Sequence, residues 1–355
     1  MRSERDLRGG GRRLAHLAAV LLSAAIVSVI PGDAPANPLP ERAIEIVAQR
    51  IESFRIGRPE FHTFGRLRFI GGLELEGNTR NFGGLSGLVM RRGGKALTAI
   101  TDRGVLLVAT VERDADGRPT GMADARIRGM TALDPTLLIG PNGADSEGFD
   151  TAGDEPGDAA WISFETTPRI LAGRLDADGF VGDLEPLELP PDILRLRWTK
   201  GLESLAVAPA DSPIAGRIVV LAERPPLNAA TGNRPGWILG GDAAPIAFEI
   251  VDDGFDLTDA AFGPDGDLYV LERLFTLSKG SQTRIRRIAV GELRPGAVVD
   301  GPEIMAADLS HQIDNMEGMD IWIDAGGRTV VSLVSDDNQS FMQRTVYLEF
   351  ELLTP

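Results

Sequence analysis

Five short segments of the sequence repeat one pattern at a nearly constant interval. Each segment places a small or acidic residue among apolar residues, and consecutive aligned positions are 61, 56, 56 and 58 residues apart. The segments are GGLSGLVM, DSEGFD, GLESLAV, LTDAAFG and NMEGMD, in which the aligned residues are Ser86, Glu147, Glu203, Asp259 and Glu317. Self-similarity at a fixed period is typical of repeat architectures. The chain is therefore predicted to be built from repeated units.

Each repeated segment is followed by a turn and by a second apolar segment that ends on an acid. The turns are rich in Gly, Asp and Pro, as in RRGGK and GPDGD, and these residues favour hairpins. The second segments are ALTAITD, AAWISFE, RIVVLAE, DLYVLE and TVVSLVSD, which end on Asp102, Glu165, Glu223, Glu272 and Asp336. The unit is therefore a strand, a hairpin turn, a strand and a carboxylate.

Further apolar segments between these units bring each repeat to about four short strands, which is typical of a β-propeller blade. We predict an all-β fold, a β-propeller with five clear blades. A sixth, degenerate blade around GRLRFIGGLEL stays open. The C-terminal TVYLEFEL is expected to share a sheet with an N-terminal strand around EIVAQRIESF and so close the ring. Two β-sandwich domains are the alternative, although the regular spacing leaves no linker between them.

Residues 1–36 are predicted to be an export signal, and residues 37–355 a single domain. Five arginines precede an apolar stretch at 14–30, and Ala-Pro-Ala at 34–36 offers a cleavage site. The pair Arg12-Arg13 is a feature of the twin-arginine route, but its flanking residues differ from that motif. An uncleaved anchor is the alternative, and the stretch is marginal in length for a membrane span. We expect a periplasmic or secreted protein with no membrane span after cleavage.

Composition excludes several classes of partner and site. The net charge of −16 argues against binding nucleic acid through its phosphates, and it favours cations as partners. The absence of cysteine excludes disulfides, thiolate metal sites and a cysteine nucleophile. We expect a monomer that acts on a small molecule.

Carboxylates that recur in the first strand of each blade would converge on the central channel. Such carboxylates repel one another, which raises their pKa values or recruits a cation, and hard oxygen ligands favour Ca²⁺. No other cofactor is predicted. The candidate metal ligands are Asp102, Asp145, Glu147, Glu165, Glu203, Glu223, Glu272, Glu317 and Asp336. The alternative is that these acids accept hydrogen bonds from the neighbouring blade.

Three arginines directly follow strand-ending acids, in TDRG, AERP and LERL. Arginine binds phosphate oxygens in a bidentate manner, so these side chains are candidates for substrate contacts. Structural pairs that tie strand ends to loops are the alternative. The candidate catalytic residues are Glu147, Glu203 and Glu317, together with Arg103, Arg224 and Arg273.

Serine chemistry is the competing enzymatic mechanism, because Ser86 lies in GLSGL. The second Gly does not fit the G-x-S-x-G elbow, and no helix is predicted after it. Only His62 and His311 lie outside the export signal as candidate bases. Ser86 is therefore expected to serve mainly as a small residue that allows close packing.

Nine short motifs, in this order, resemble a known bacterial family: FGGLSGL, ITDRG, DSEGFD, SFETTPRI, GLESLAV, LERLF, DNMEGMD, VSDDN and QRT. The family is the phytase-like domain, described as having esterase-like activity of phytase, and the resemblance covers roughly residues 60 to 355. It implies a propeller that hydrolyses phosphate or carboxylic esters, with calcium in its channel. We therefore expect an exported, metal-assisted ester or phosphoester hydrolase. A non-catalytic periplasmic propeller that binds a ligand or a protein is the alternative.

Overall fold

The computed structural model describes residues 39–138, 143–196, 201–226 and 228–353. The predicted export signal lies outside the described residues. Within these ranges the chain forms β-strands and three short 3-10 helices, at Pro135–Leu138, Ile193–Leu196 and Val290–Glu292, and no α-helix. In this part of the chain, no helix is long and apolar enough to cross a membrane. The all-β prediction is confirmed.

The strands form five antiparallel blades. Four strands precede the first repeated unit: β1 (Arg42–Ala43), β2 (Ile46–Ile51), β3 (Thr63–Phe64) and β4 (Leu67–Gly77). Blade 1 contains, from its inner to its outer edge, β5 (Leu85–Arg91), β6 (Ala96–Thr101), β7 (Val105–Arg113) and β8 (Pro119–Gly129), with β1 added outside. Blade 2 contains β9 (Ser146–Thr151), β10 (Ala159–Phe164), β11 (Arg169–Leu175) and β12 (Val181–Pro186).

Blades 3 and 4 repeat the same order. Blade 3 contains β13 (Leu202–Val207), β14 (Ile218–Ala222), β15 (Arg234–Leu239) and β16 (Ile246–Ile250). Blade 4 contains β17 (Asp256–Phe262), β18 (Leu268–Thr276) and β19 (Gly280–Ile288), and is completed by β21 (Glu303–Ala307). Between them, β20 (Val298–Val299) pairs in parallel with the outer strand of blade 3.

Blade 5 joins the two ends of the chain. Its strands β22 (Asn315–Ile323), β23 (Thr329–Asp336) and β24 (Thr345–Leu352) pair in sequence, and β24 then pairs with β4, which pairs with β2. The predicted sheet of C-terminal and N-terminal strands is confirmed. The segment GRLRFIGGLEL is β4, the strand between β24 and β2, so the described residues form five blades and no sixth.

The hydrophobic core is divided among the five interfaces between successive blades. Each of five buried clusters takes its side chains from two neighbouring blades; one contains Leu271 of blade 4 and Leu333 of blade 5. The inner strands of neighbouring blades also contact one another around the whole ring. Every residue of β5 and β13 is buried, so their apolar residues do not alternate with exposed polar ones. The polar residues Ser86, Arg91, Glu203 and Ser204 are buried with them. The two-sandwich alternative is wrong.

Candidate active site at one end of the channel

The recurring carboxylates converge on one end of the channel because each inner strand begins where its hairpin partner ends. The backbone amide of Asp102 donates to the Gly84 carbonyl oxygen at 2.9 Å. Glu165 and Glu223 make the same bond, at 3.1 and 3.2 Å, to Asp145 and Gly201. The strand-ending acids therefore lie beside the first residues of the inner strands.

A β-bulge in each inner strand supplies the second set of side chains. The bulge comes at the same place in all five blades, and its extra residues are Ser86, Glu147, Glu203, Thr258 and Glu317. Bulges re-aim side chains and recur beside active sites. In blade 4 the sequence alignment is wrong by one residue, because Asp259 is paired with Leu271 and Thr258 is the bulged residue.

A glycine follows the bulged acid where two inner strands approach closely. A Cβ at position 148 would lie 2.5 Å from the backbone nitrogen of Leu205 in the next blade. A side chain is therefore excluded there, and the recurring Glu-Gly order follows from the narrowness of the ring.

The strand-ending position of blade 4 is occupied by Arg273 rather than by an acid. Arg273 pairs with Asp256, just as Asp336 pairs with Asn315 in blade 5, whereas Glu272 pairs with Leu257 one residue earlier. Because successive side chains of a strand point to opposite faces, Glu272 points away from the position predicted for it. Its carboxylate accepts hydrogen bonds from Arg284 and Arg286 inside the blade. Glu272 is thus not a member of the channel-end group.

Two groups of three carboxylates meet at this end of the channel. Asp145, Glu147 and Glu165 form one group, and Glu165, Glu203 and Glu223 form the other. Within each group, one oxygen from every residue lies within 4.8 Å of the others. Blades 2 and 3 therefore supply most of the negative charge, and Glu165 belongs to both groups.

The electrostatics of the groups reflect crowding of like charges. Burial raises the pKa of Glu147 well above its usual value, and the nearby carboxylates, Asp145 first, raise it further. Burial likewise raises the pKa of Glu203, with Glu147 and Glu223 as the largest charge contributions. Buried carboxylates that lie this close together are stabilised when they bind a proton or a cation.

Arg273 is the counter-ion inside the carboxylate assembly. Its Nη1 lies 2.8 Å from Oε1 of Glu317, and its Nη2 lies 3.7 Å from Oε1 of Glu223. The amide of Asn315 donates to the same Glu317 oxygen at 2.8 Å. Blade 4 thus places a positive charge between an acid of blade 3 and an acid of blade 5.

Asp102 and Asp336 form the part of the site nearest blades 1 and 5. Burial, then the charge of Asp336, raises the pKa of Asp102 to about 7. Burial also raises the pKa of Asp336 to about 6. Gly84 has a φ of +67°, and a side chain there would collide with Oδ1 of Asp102, so glycine leaves room for this carboxylate.

The family model described as "Phytase-like: Esterase-like activity of phytase" matches residues 80–339. The chain belongs to this phytase-like family. The resemblance noted in the sequence is confirmed. A search of curated proteins finds no match.

The phytase-like propeller is also similar to solved structures. Virginiamycin B lyase from Staphylococcus aureus is 11% identical, with a TM-score of 0.39, over 87% of this chain and 100% of the lyase chain. Endo-arabinase from Bacteroides thetaiotaomicron is 14% identical, with a TM-score of 0.44, over 75% of this chain and 93% of the arabinase chain.

The two remaining predicted arginines of the phytase-like propeller lie at the rim. Nε and Nη2 of Arg224 both donate to the carboxylate of Asp256, so this guanidinium is already paired. Nη2 of Arg103 donates to the backbone oxygen of Arg80 at 2.8 Å, and its Nε lies 3.7 Å from Asp102. Arg103 is thus the more available of the two for a substrate.

Ser86 is buried and engaged with the backbone of the next blade. Its hydroxyl donates to the carbonyl oxygen of Ser146 at 2.7 Å, and the Ser146 hydroxyl donates to Thr101 at 2.7 Å. His311 is held at 3.1 Å from Asp308 and packs against Phe54. This geometry gives Ser86 a structural role.

Three acids deeper in the channel were not among the predicted site residues. Asp150, Asp259 and Asp320 accept hydrogen bonds from the backbone amides of Val207, Met319 and Met90, each in the next blade, at 2.6 to 2.7 Å. The alternative of inter-blade hydrogen bonding therefore holds for these acids. The shared order Glu-Gly-apolar-Asp at 147–150 and 317–320 is the signal that could have identified two of them.

The buried acids make stability depend on pH. Burial raises the pKa of Asp150 to about 8 and that of Asp320 to about 6, against about 3.9 in an unfolded chain. The folded state then binds more protons at these two carboxyls, so their contribution to stability is full below about pH 4 and is lost as pH rises through about 6 and about 8. In EDTA, we expect the Tm to fall by at least about 5 °C between pH 5 and pH 8.

Thermal unfolding of the Asp150→Asn variant provides the control, because an amide oxygen can still accept the same hydrogen bonds. We expect its Tm to depend less on pH between 6 and 8. A wild-type Tm that is flat or rises over this interval would contradict the assignment.

The donor set fits a hard divalent cation. Ca²⁺ binds carboxylate oxygens in flexible geometry, and both groups offer three such oxygens at close separation. Glu165, the residue common to both groups, would be the central ligand, together with Asp145 and Glu147 or with Glu203 and Glu223.

Proposed function

We propose that this chain is a metal-assisted hydrolase of phosphate or carboxylic esters that acts at the end of the propeller channel. The observation that carries the proposal is the convergence of two carboxylate groups with Arg273 and Arg103 at that end. Membership of a family described by esterase-like activity supports the same reaction class. Carboxylates alone would repel a phosphate, so a cation is part of the proposal.

The protein's own residues hold the cation and position the reactants. Glu165 would hold Ca²⁺ together with Asp145 and Glu147, or together with Glu203 and Glu223. When bound, the ion would neutralise these acids, polarise the ester and make water more acidic. Glu317, which is held by its ion pair with Arg273, lies beside these carboxylates. Arg103 contacts an anionic oxygen of the substrate, because part of its guanidinium faces solvent.

Asp102 is suited to accept the proton of the attacking water. Its pKa of about 7 is close to neutral pH, where a general base is most effective. Its Oδ1 makes no hydrogen bond with the described residues, and its charged neighbour is Nε of Arg103 at 3.7 Å.

The test is hydrolysis of phytate, p-nitrophenyl phosphate and p-nitrophenyl acetate by the protein without residues 1–36, first in EDTA and then with added Ca²⁺. Turnover that appears only with Ca²⁺ supports the proposal. The absence of turnover under both conditions favours a ligand-binding propeller, in which the channel acids serve the fold as Asp150 and Asp320 do.

Replacing Ser86 with Ala separates the two enzymatic mechanisms. We expect the variant to keep its kcat within about threefold of wild type, since the hydroxyl makes one backbone hydrogen bond worth about 1 kcal/mol to stability. The measurement is kcat on p-nitrophenyl acetate with Ca²⁺. Loss of turnover in a folded variant would instead support the mechanism in which Ser86 is the nucleophile.

We also propose that the protein is exported and acts in the periplasm or outside the cell. The basic residues, apolar stretch and Ala-Pro-Ala sequence within residues 1–36 support this location.

A further inference from the structure

A second concave site lies beside the channel-end carboxylates. A cavity of about 520 Å³ is bounded by the end of β4, the segment 78–82 that leads into blade 1, and the loop between β23 and β24. Its lining is mainly polar and includes Glu76, Asn78, Arg80, Asp337, Gln339 and Gln343. The volume lies in the range of small-molecule sites.

Two direct contacts connect the cavity to the candidate active site. The backbone oxygen of Arg80, in the cavity wall, accepts a hydrogen bond from Arg103. Asp337, also in the wall, accepts from the backbone amide of Gly84 at 3.0 Å, and Gly84 is the residue that leaves room for Asp102. The cavity wall is therefore hydrogen-bonded to two residues that flank the candidate active site.

The charges of the lining limit what the cavity can bind. Arg344 is already committed to Glu74 and Gln312, at 3.1 and 3.0 Å. The guanidinium of Arg80 and the carboxylate of Glu76 make no ion pair with any other residue that the structure describes. Because Glu74, Glu76 and Asp337 all line the cavity, a polyanion would be repelled there.

Three amides of the lining already make one hydrogen bond each. Nε2 of Gln339 donates to the Phe82 carbonyl oxygen at 3.2 Å, Nε2 of Gln343 donates to Oδ1 of Asp314 at 3.4 Å, and Oδ1 of Asn78 accepts from the Glu45 amide at 3.2 Å. The remaining atoms of these amides, with Glu76 and Arg80, fit hydroxyls. Side-chain amides both donate and accept, and carboxylates accept from hydroxyl groups. Gln339 and Gln343 lie on one side of the cavity, and Asn78 and Glu76 lie on the other. Arg80 adds one site for a single negative charge.

We propose that this cavity binds the hydroxyl-rich alcohol part of the substrate, with Arg80 contacting a single carboxylate on it while the ester reaches the channel-end acids. The inference rests on the proposed hydrolase function. It narrows the substrate class to polyol or sugar-acid esters.

Direct binding tests the cavity without catalysis. The probe is D-gluconate, which has several hydroxyls, one carboxylate and no ester, measured by isothermal titration calorimetry in EDTA. We expect binding by wild type, and affinity lowered about tenfold in Arg80→Ala, as loss of a charge-assisted hydrogen bond predicts. Arg80→Lys should restore much of it. Arg118→Ala is the matched control, because Arg118 is an exposed arginine on the hairpin between β7 and β8.

Acetate, which has the charge without the hydroxyls, should not bind measurably. Equal binding of acetate, unchanged affinity in Arg80→Ala, or no binding of gluconate at all would each overturn the proposal.

Kinetics test the link to the reaction. With an acetyl ester of gluconate, which carries one negative charge, Arg80→Ala should raise KM about tenfold, whereas kcat/KM for p-nitrophenyl acetate should be unchanged. An equal effect on both substrates would overturn the assignment. If neither substrate is hydrolysed, the hydrolase proposal fails, and the gluconate titration still decides whether the cavity binds polyols.

Discussion

Replacing Glu203 with Gln is expected to lower calcium-dependent kcat/KM by at least about 100-fold, the scale on which removing one preorganised electrostatic contact acts. Gln has the same shape but removes one charge from the group formed with Glu165 and Glu223. The fold should remain intact. In EDTA the variant's Tm should equal or exceed that of wild type, because the crowding that raises the pKa of Glu203 is relieved.

The measurements are kcat/KM with Ca²⁺ and the calcium affinity by calorimetry. Glu147→Gln and Glu317→Gln should behave similarly in turnover. Asp320→Asn is the matched control, since Asp320 is a channel acid whose carboxylate is bound to the backbone of Met90. Its turnover should stay within about threefold of wild type. Full activity in a Glu147→Gln/Glu203→Gln double variant would overturn the site assignment.

Replacing Glu272 with Ala is expected to lower the free energy of unfolding by about 3 kcal/mol. Glu272 is 1% exposed and accepts hydrogen bonds from Arg284 and from Arg286, which is 2% exposed. Its removal leaves two buried guanidinium groups without their shared carboxylate. Unfolding by urea at pH 7 measures the loss.

Asp300→Ala is the control for this prediction. Asp300 pairs with the same Arg286 at 2.8 Å, but its side chain is 67% exposed, so its loss should cost less than about 1 kcal/mol. Equal losses in the two variants would contradict the structural role of Glu272. The Glu272→Gln variant should also keep wild-type calcium affinity, unlike Glu203→Gln.

Blade 4 shows how far sequence reasoning could go and why it stopped. The repeat interval, the turns and the apolar segments predicted five blades and their first two strands correctly. The bulge, however, inserts one residue on the inner strand, and the sequence does not show which residue of Leu-Thr-Asp is extra. An acid lies next to the true bulged residue, Thr258, and another lies next to the true strand-ending residue, Arg273. These acids, Asp259 and Glu272, were therefore assigned to the wrong face of their strands.

The same one-residue shift in blade 4 hid the fact that an arginine, rather than an acid, occupies the strand-ending position of that blade. Arg273 was predicted as a substrate contact, whereas the corrected register places it among the strand-ending residues of the ring, where it holds Glu317. Its role depends on a contact between blades 4 and 5, which sequence spacing does not contain. The cavity around Arg80 was missed for a similar reason, because its walls come from segments more than 200 residues apart.

The closure of blade 5 also determines when the molecule can finish folding. Leu75 in β4 pairs with Thr345 in β24, 270 residues later. Pairing over such separations makes folding slow, since the chain must close a long loop before the contact forms. During synthesis, β4 therefore cannot pair with β24 until the C-terminal strand has been made. A chain that stops before Thr345 would leave the edges of both β4 and β23 open, and it would be prone to aggregate or to be degraded.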